Sequence, residues 1–420
     1  MIEVPPRRTW RAAIPVVAVG VFAGLMVISR RPDAISNPQF FAEDATVWFS
    51  DGYNLGPWRA ILVPTVGYLN VLPRLVVLLA TPFGVAHAPL VFNIFALVIQ
   101  LAPVLFLASN RLAERIPSLW VRLGLAGIYL LTPSAALNVT LSQTQWRLVV
   151  LATLVILAPT PRSRTWRVVD VLVVVLCALT GPFAMLMLPL CLTWWVVKRR
   201  RWTGVLGAIT AMGTVVQLWT LLHSGRSPAP LGASPAYLLT ILSDRIVLAG
   251  LFGQDGPTSI YTTGLAHPTL TAGLVCLCAA PVAAFAAWKA PWELRLFGAM
   301  ALGIVVAGLV SPLGSVIDSQ WQLMSTSRTG ERYFFMAEVA WLAALCWAAF
   351  QVRHLLMRRA ALALVGALFL SGSALRWSYP AFVDRHWQQA AAQIESAPSG
   401  TRVIVTTNPG PPWAVNIMVK

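Results

Sequence analysis

Long apolar runs without a charged residue most constrain what this chain can fold into. Such runs extend over Ala12–Ser29, Leu75–Asn110, Leu123–Gln145 and Gly256–Trp288. Soluble proteins have about 25% charged residues and interrupt such runs with them, whereas only 11% of these 420 residues are charged. Because a helix needs about 20 apolar residues to cross a bilayer, the sequence predicts an all-α polytopic membrane protein.

The formal net charge of +16 is divided into short basic clusters between the apolar runs. The clusters are Arg7–Arg11, Arg111–Arg122, Arg162–Arg167, Lys198–Arg201 and Arg353–Arg359. Loops rich in Lys and Arg remain on the cytoplasmic side of a membrane. This spacing is typical of membrane topology rather than of nucleic-acid binding, so we expect no nucleic-acid partner.

The alternation of clusters and runs predicts about 11 transmembrane helices, with a cytoplasmic N-terminus and an outer C-terminus. The expected spans are Ala12–Ser29, Pro89–Ser109, Leu123–Leu137, Leu148–Thr160, the two limbs of Val168–Val197, Val205–His223, Leu265–Trp288, Leu296–Pro312, Tyr333–Val352 and Ala360–Leu375. The first resembles a signal peptide, but it ends in Ser29-Arg-Arg without a small-x-small cleavage site. We expect it to stay uncleaved.

Two parts of this topology admit alternatives. Leu75–Phe83 is expected to be an interfacial helix, because a full crossing there would place Arg111–Arg122 outside. Val168–Val197 has 30 residues with basic clusters at both ends. It is therefore expected to form a tight hairpin with Thr180–Pro182 at its tip, although both limbs are short.

The topology places the long loops on the outer face of the cytoplasmic (inner) membrane. They are residues 30–88, 224–264, 313–332 and 376–420. We divide the chain into a transmembrane module, 1–375, with a first outer loop at 30–88, and a small outer tail, 376–420. In the tail the pattern predicts a helix at Asp384–Glu395, a strand at Arg402–Thr407 and a turn after Asn408. Function is expected on the outer face.

Two adjacent carboxylates, Glu43 and Asp44, follow an aromatic pair in the first outer loop. Charged carboxylates close to lipid are costly. One reason to keep them is general-base catalysis, in which a carboxylate with a raised pKa takes a proton from an attacking hydroxyl. The alternative is a solvated N-cap of the following helix, which satisfies free backbone N–H groups.

Several arginines lie in the predicted outer loops or at their membrane boundaries. They are Arg59, Arg74, Arg147, Arg226, Arg245, Arg328 and Arg332. The guanidinium fork suits phosphate oxygens, and a lipid phosphate would lie at the same depth; the alternative is snorkelling to the interface. Arg328 and Arg332, followed by Tyr333, are the favoured phosphate ligands because they precede an inward span.

Other polar residues are candidates for recognising a sugar or an acceptor hydroxyl. Gln143, Gln145 and Arg147 lie between two spans, and Tyr68 lies in the first outer loop; the alternative is an ordinary polar loop. Glu338 is an intramembrane acid with either a functional or a pairing role. Asp170, close to Arg167, is expected to be structural.

Metal binding is not indicated by the sequence. The five cysteines lie inside apolar runs and the five histidines are scattered, whereas zinc sites need clustered Cys and His ligands. We therefore expect no metal and no other cofactor.

This layout resembles the GT-C class of membrane glycosyltransferases, which use polyprenyl-phosphate-linked sugars. Glu43-Asp44 stands where that class has an acidic pair after the first span, and Gly67–Arg74 stands at its proline-containing juxtamembrane helix. Leu179–Ala184 and Asn408–Trp413 also resemble segments of uncharacterised bacterial members. A Pro-Pro-Leu pattern before the second span, found in the lipid A and protein mannosylation branches, is absent.

The resemblance implies inverting sugar transfer on the outer face without a metal. Asp44 or Glu43 would deprotonate a glycan or lipid acceptor, and arginines would stabilise the departing lipid phosphate. Its expected partners are a polyprenyl-phosphate-linked sugar, the acceptor and membrane lipids. Two alternatives stay open: a lipid-glycan flippase or transporter with Glu338 and the arginines along its path, and an O-antigen-type polymerase or ligase.

Overall fold

The computed structural model describes residues 9–224, 230–253, 268–314 and 317–420. Arg7, Arg8 and Arg226, which the sequence analysis singled out, lie outside the described residues. The described chain is mostly helical, with one two-stranded antiparallel sheet in which Arg402 pairs with Met418 and Thr406 with Ala414. Because the described residues are mostly helical and form little sheet, the predicted all-α class is confirmed.

The helices fall into two size classes. The helices of ten or more residues are Thr9–Arg30, Val71–Ala80, Gly84–Ala108, Leu119–Leu131, Thr144–Leu157, Arg164–Ala178, Phe183–Lys198, Arg201–His223, Pro268–Lys289, Trp292–Val310, Glu331–Phe350, Leu355–Leu375 and Trp387–Ser396. The shorter ones are Asp33–Ser36, Asp44–Phe49, Ser50–Leu55, Pro57–Ala60, Thr81–Phe83, Asn110–Leu112, Leu141–Gln143, Pro235–Leu242, Ser243–Leu248, Ala249–Phe252 and Gln320–Thr326; the strands are Arg402–Thr406 and Ala414–Met418.

Seven helical segments in the described ranges are long and apolar enough to cross a membrane. They are Val71–Ala108, Arg201–His223, Pro235–Phe252, Pro268–Lys289, Trp292–Val310, Glu331–Phe350 and Leu355–Leu375. Four shorter apolar helices are Val16–Arg30, Leu119–Leu131, Leu141–Leu157 and Phe183–Lys198. The chain is thus a membrane protein by the length and composition of its helices, while the predicted count of about 11 spans and their direction remain predictions.

Ion pairs join the segments at one end of the helix bundle, which we call the basic end (residues 109–118, 158–164 and 199–201). Arg111 pairs with Asp170 at 2.6 Å, and Arg115 pairs with Glu293 at 3.5 Å. Asp170 lies close to Arg167 in sequence, but its ion-pair partner is Arg111. Arg167 is exposed, whereas Asp170 is buried and faces the bundle.

The opposite end, which we call the loop end, holds residues 31–70, 132–143, 311–314, 317–330 and 376–386. Helices Arg164–Ala178 and Phe183–Lys198 are joined there by four residues, and Asn70 forms a β-bridge with Thr180. Here the chain has the short connection predicted at Thr180–Pro182.

Most of the apolar stretch Leu75–Phe83 lies in helix Val71–Ala80, the first part of the candidate span Val71–Ala108, and its interfacial placement remains a prediction. Helix Val71–Ala80 ends in a tight turn at residues 81–83, and Gly84 then adopts a left-handed φ of 78° before the next long helix. Because this conformation strains residues with a Cβ atom, Gly84 permits the break between the two helices.

The predicted outer loop 224–264 contains helical structure that the sequence analysis did not identify. Residues 235–252 are continuously helical and are long and apolar enough to be a span. Both flanks nevertheless contact the loop end. The carbonyl oxygen of Pro230 accepts a hydrogen bond from the Gln320 N–H at 3.0 Å. At the other flank, a Cβ atom on Gly253 would lie 3.3 Å from Arg376 Cγ.

The tail forms a second apolar cluster with the first loop, separate from the core of the bundle. Phe40 packs edge-on against Trp387 with ring centroids 4.7 Å apart, and Trp387 donates from Nε1 to the Val85 carbonyl oxygen at 3.0 Å. Helix Trp387–Ser396 and strand Arg402–Thr406 confirm the elements predicted for the tail. The tail thereby fixes the position of the segment that carries Glu43 and Asp44.

Candidate functional site

Asp44 begins a short, wide helical turn, Asp44–Phe49, in the first loop. Such i→i+5 turns are frequent at functional sites. Ala42, two residues earlier, has a left-handed φ of 48°, and its N–H donates to the Asn408 carbonyl oxygen at 2.7 Å. Backbone strain in a residue with a Cβ atom often occurs at functional sites. The hydrogen bond to Asn408 in the tail stabilises the strained conformation of Ala42.

The Asp44 carboxylate is buried and accepts two hydrogen bonds from a distant part of the chain. The Ser142 N–H donates to Oδ1 at 2.6 Å, and the Leu141 N–H donates to Oδ2 at 3.3 Å. These amides open the turn Leu141–Gln143, which leads into helix Thr144–Leu157. The alternative of a solvated cap on its own helix is wrong, because the carboxylate is 1% exposed and caps a turn almost 100 positions away.

Burial raises the pKa of Asp44 from 3.8 to about 7. The negative charge of Glu43 raises this pKa further, whereas the hydrogen bonds from Ser142 and Leu141 lower it. Removal from water disfavours the ionised carboxylate, and donors that point at it favour that form. The Asp44 carboxyl therefore changes its protonation state close to neutral pH, as a general base or acid requires.

Arg332 lies close enough to Glu43 for their charges to interact. Its Nη2 donates to the Leu313 carbonyl oxygen and to the Tyr333 hydroxyl, the latter at 3.3 Å, and its guanidinium lies over the Tyr333 ring at 4.9 Å. The Tyr333 hydroxyl in turn accepts from the Leu313 N–H at 3.0 Å. The fold thus brings Arg332 and Tyr333 close to Glu43, the sequence neighbour of Asp44.

A buried carboxylate that the sequence analysis missed, Glu331, organises a second cluster beside the first. It accepts a hydrogen bond from the Ser134 hydroxyl and interacts electrostatically with Arg147, Arg245 and Arg328. Glu331 and Ser134 are 197 positions apart in sequence. The only local signal for Glu331 is its place beside Arg332 at the start of a helix.

Arg147, one of the predicted sugar-site residues, belongs to this second cluster. Its guanidinium lies 3.8 Å from the centre of the Phe335 ring and 5.2 Å from that of Tyr129. The side chain is 3% exposed. Cation–π contacts of desolvated guanidinium groups are worth about 2 kcal/mol, so Arg147 stabilises the bundle whether or not it binds a ligand.

Arg328 is exposed and lines a cavity of about 190 Å³ at the loop end. Glu331, Arg376, Ser378 and Tyr379 contribute to the same cavity. The Tyr379 hydroxyl accepts from the Ser134 N–H at 3.0 Å, and burial raises the pKa of Tyr379. Arg328 therefore belongs with Glu331, whereas Arg332 lies with Glu43.

Arg74 is fully buried, and its side chain contacts residues of the first loop. Its Nη2 donates to Asp51 Oδ2 at 2.9 Å and to Thr65 Oγ1 at 3.1 Å, and its guanidinium lies 5.1 Å from the centre of the Trp48 ring. It joins helix Val71–Ala80 to the turns of the first loop. This geometry gives Arg74 a structural role in holding that loop.

The remaining predicted residues occupy varied positions. Arg59 is exposed on the short helix Pro57–Ala60, and Tyr68 pairs with Thr65 in a β-bridge. Gln143 is buried one residue after Ser142, and its Oε1 has no hydrogen-bond partner among the described residues. Gln145 lies against Gly181, so close that a Cβ atom there would be 2.6 Å from Gln145 Oε1.

Within the described ranges, no group of three or more His, Cys, Asp or Glu residues could hold a metal ion. Glu338, the intramembrane acid, is 1% exposed and interacts electrostatically with Arg245. Glu331 and Glu338 thus interact with arginines, whereas Asp44 interacts with Glu43 and with two backbone N–H groups.

The chain matches no protein family model, and no curated protein or solved structure matches it.

Proposed function

We propose that this protein is a GT-C-like membrane glycosyltransferase that moves a sugar from a polyprenyl-phosphate donor to a glycan or lipid acceptor on the outer face. The observation that supports this proposal is the Asp44 carboxylate, buried, held by two backbone N–H groups and with a pKa of about 7. A base with this pKa is deprotonated in a useful fraction of molecules at neutral pH.

In the proposed reaction, the acceptor hydroxyl gives its proton to an Asp44 oxygen as its own oxygen attacks the anomeric carbon. The bond between that carbon and the phosphate oxygen breaks, and the phosphate leaves with the bonding electron pair. Attack opposite the leaving group inverts the anomeric centre. Glu43 raises the basicity of Asp44 and interacts electrostatically with Arg332.

Arg332 is the proposed cation for the departing phosphate. Its guanidinium is held by the Leu313 carbonyl oxygen and by the Tyr333 ring. A preorganised cation is most effective where water is excluded, because it stabilises the developing charge without reorganisation. Arg328 lies in the neighbouring cavity with Arg376, where it is proposed to contact the donor phosphate or sugar.

The test is a transfer assay on membranes that contain the wild type, Asp44→Asn or Glu43→Gln, with a panel of polyprenyl-phosphate sugars. Loss of a general base typically lowers the rate about 10²–10⁴-fold, and we expect a loss of about this size for Asp44→Asn. Glu395→Gln, an exposed carboxylate on the tail helix, is the matched control. Full activity of both Asp44→Asn and Glu43→Gln would contradict the proposed base.

A second candidate, a lipid-glycan flippase or transporter, is supported by the buried charges of Arg147, Arg245, Glu331 and Glu338. Charged groups inside a membrane bundle often mark a transport path. Translocation of a fluorescent lipid-linked sugar in vesicles separates the candidates: a transporter requires Glu338 and tolerates Asp44→Asn, whereas the proposed enzyme shows the reverse. A polymerase or ligase would instead require a lipid-linked oligosaccharide as donor.

A further inference from the structure

The basic end of the bundle contains a second cavity, which is shallow and largely open to its surroundings. Its volume is about 620 Å³. Three connections contribute to it: the loop after helix Gly84–Ala108, the loop before helix Arg164–Ala178 and the turn before helix Arg201–His223. The lining side chains include Arg162, Arg167, Arg200, Arg201, Glu114 and Trp202.

The charge of this cavity is strongly positive. Four guanidinium groups and one carboxylate give its lining a formal charge of +3. Glu114 is shared between Arg162 and Arg200, each at 3.7 Å. Pairs at this distance between solvent-exposed groups are weak. Among the described residues, no carboxylate pairs with Arg167 or Arg201, so most of the positive charge is available to a ligand.

The side of the cavity at Trp202 is fixed by buried contacts. Its Nε1 donates to Asp170 Oδ2 at 3.1 Å, and Asp170 also forms the ion pair with Arg111 at 2.6 Å. The charge of Asp170 is therefore already matched and does not neutralise the arginines of the cavity. Lys198 and Arg199, which precede Arg200, lie over the rings of Trp194 and Trp195 instead.

Exposed apolar residues continue from these arginines along both helices. Val168 and Leu172 lie on the helix that carries Arg167 and are 57% and 54% exposed; they follow Arg164, which is outside the cavity lining, at intervals of four residues. Val205 and Met212 follow Arg201 on one helix face and are 45% and 70% exposed. Residues spaced in this way share a helix face, so each helix presents cations at its end and an apolar stripe next to them.

We propose that this cavity binds the phosphodiester headgroup of an anionic phospholipid. The guanidinium forks match phosphate oxygens, and basic pockets between transmembrane helices suit anionic headgroups. A soluble phosphate ligand would use the same arginines, but it would have no use for the two apolar stripes, which fit acyl chains. The site is separate from the loop end and does not depend on the proposed transferase reaction.

The experiment is native mass spectrometry of the purified full chain in detergent, titrated with phosphatidylglycerol, phosphatidylcholine or inorganic phosphate. We expect wild type to retain phosphatidylglycerol in preference to phosphatidylcholine. Because each arginine near a membrane surface contributes about 1 kcal/mol, or about fivefold in affinity, to binding an anionic lipid, Arg200→Gln with Arg201→Gln should weaken binding by at least about tenfold. Arg353→Gln with Arg359→Gln, exposed and outside the cavity, is the control with the same change of charge.

Glu114→Gln tests the site in the opposite direction, because a misfolded variant cannot bind more tightly. The substitution removes the carboxylate shared by Arg162 and Arg200, so phosphatidylglycerol binding should strengthen several-fold. Equal retention of both lipids, equal losses in the two double variants, or displacement of phosphatidylglycerol by millimolar inorganic phosphate would each overturn the proposal.

Discussion

Replacement of Asp44 by Asn should change how the stability of the protein depends on pH. The pKa of Asp44 is about 7 in the folded chain, against 3.8 for an aspartate that is fully solvated, as in the unfolded chain. Between about pH 4 and pH 7 the folded state therefore keeps a proton that the unfolded state has lost. Stability falls as pH rises through this window and levels off above about pH 7.

The size of the effect follows from the two pKa values. At about 1.36 kcal/mol for each pKa unit, the difference between 3.8 and about 7 corresponds to about 4 kcal/mol. With an unfolding entropy of about 2.1 cal/mol/K per residue, cooperative unfolding of 420 residues converts this to about 5 °C in Tm. The asparagine side chain of the variant does not titrate, so the variant lacks this part of the pH dependence.

The assay is thermal unfolding in detergent, followed by tryptophan fluorescence, from about pH 5 to about pH 8.5. This range covers only about two pKa units of the window, or about 2.7 kcal/mol. The Tm of wild type should therefore fall relative to that of Asp44→Asn by about 3 °C between about pH 5 and about pH 8.5. The contributions of the other titrating groups are the same in both proteins and cancel in the difference. The asparagine side chain has one oxygen and cannot accept both backbone hydrogen bonds in the same way. This loss lowers the Tm of the variant by an amount that does not depend on pH.

Asp384→Asn is the control. The N–H of His386 donates to Asp384 and holds its pKa below 3.8, so this carboxyl stays ionised throughout the measured range. Its stability curve should run parallel to that of wild type. The reasoning about burial would be refuted if the curve of Asp44→Asn were also parallel to that of wild type.

Three further predictions concern packing, charge and catalysis. Gly372→Ala should destabilise the protein by about 1–3 kcal/mol, because the new Cβ atom would lie 2.7 Å from the backbone of a neighbouring helix; Gly366→Ala, with nothing within 4 Å, should be neutral or stabilising in the same melting assay. Asp170→Ala should cost about 3 kcal/mol because it leaves the buried guanidinium of Arg111 without its carboxylate, and adding Arg111→Met should recover most of the lost Tm. If Asp44 is the base, the rate of sugar transfer should fall about tenfold for each pH unit below about 7, and a flat profile from about pH 5 to pH 8 would contradict that role.

Local sequence patterns predicted those helices and strands that are determined by the residues within them. Apolar runs between basic clusters predicted most of the long helices, and alternation predicted the strand at Arg402–Thr406. They did not predict that residues 235–252 are helical. There the polar pair Asp244-Arg245 interrupts the apolar run, and in the folded chain Arg245 donates from Nε to the Met324 carbonyl oxygen at 2.8 Å, 79 positions away.

The candidate site was predictable only in part for the same reason. The adjacency of Glu43 and Asp44 is visible in the sequence, but the burial of Asp44 depends on the amides of Leu141 and Ser142. Likewise, nothing near Arg74 indicated that Asp51 and Thr65 would occupy its guanidinium. The sequence shows that a side chain is an arginine and therefore which kinds of group it can bind. Which group an arginine actually contacts is decided by how distant segments pack together.

The contact between the tail and the first loop has a consequence for biogenesis. Asn54 donates from Nδ2 to the Asn416 carbonyl oxygen across 362 positions, and Arg385 donates from its N–H to Gln39 Oε1 across 346. At a synthesis rate of about 5–20 residues per second, the ribosome needs on the order of 20–70 s to make the intervening chain. During that interval Phe40 and Phe49 lack the cover of Trp387. The segment that holds Asp44 therefore completes its packing only after the tail has been synthesised.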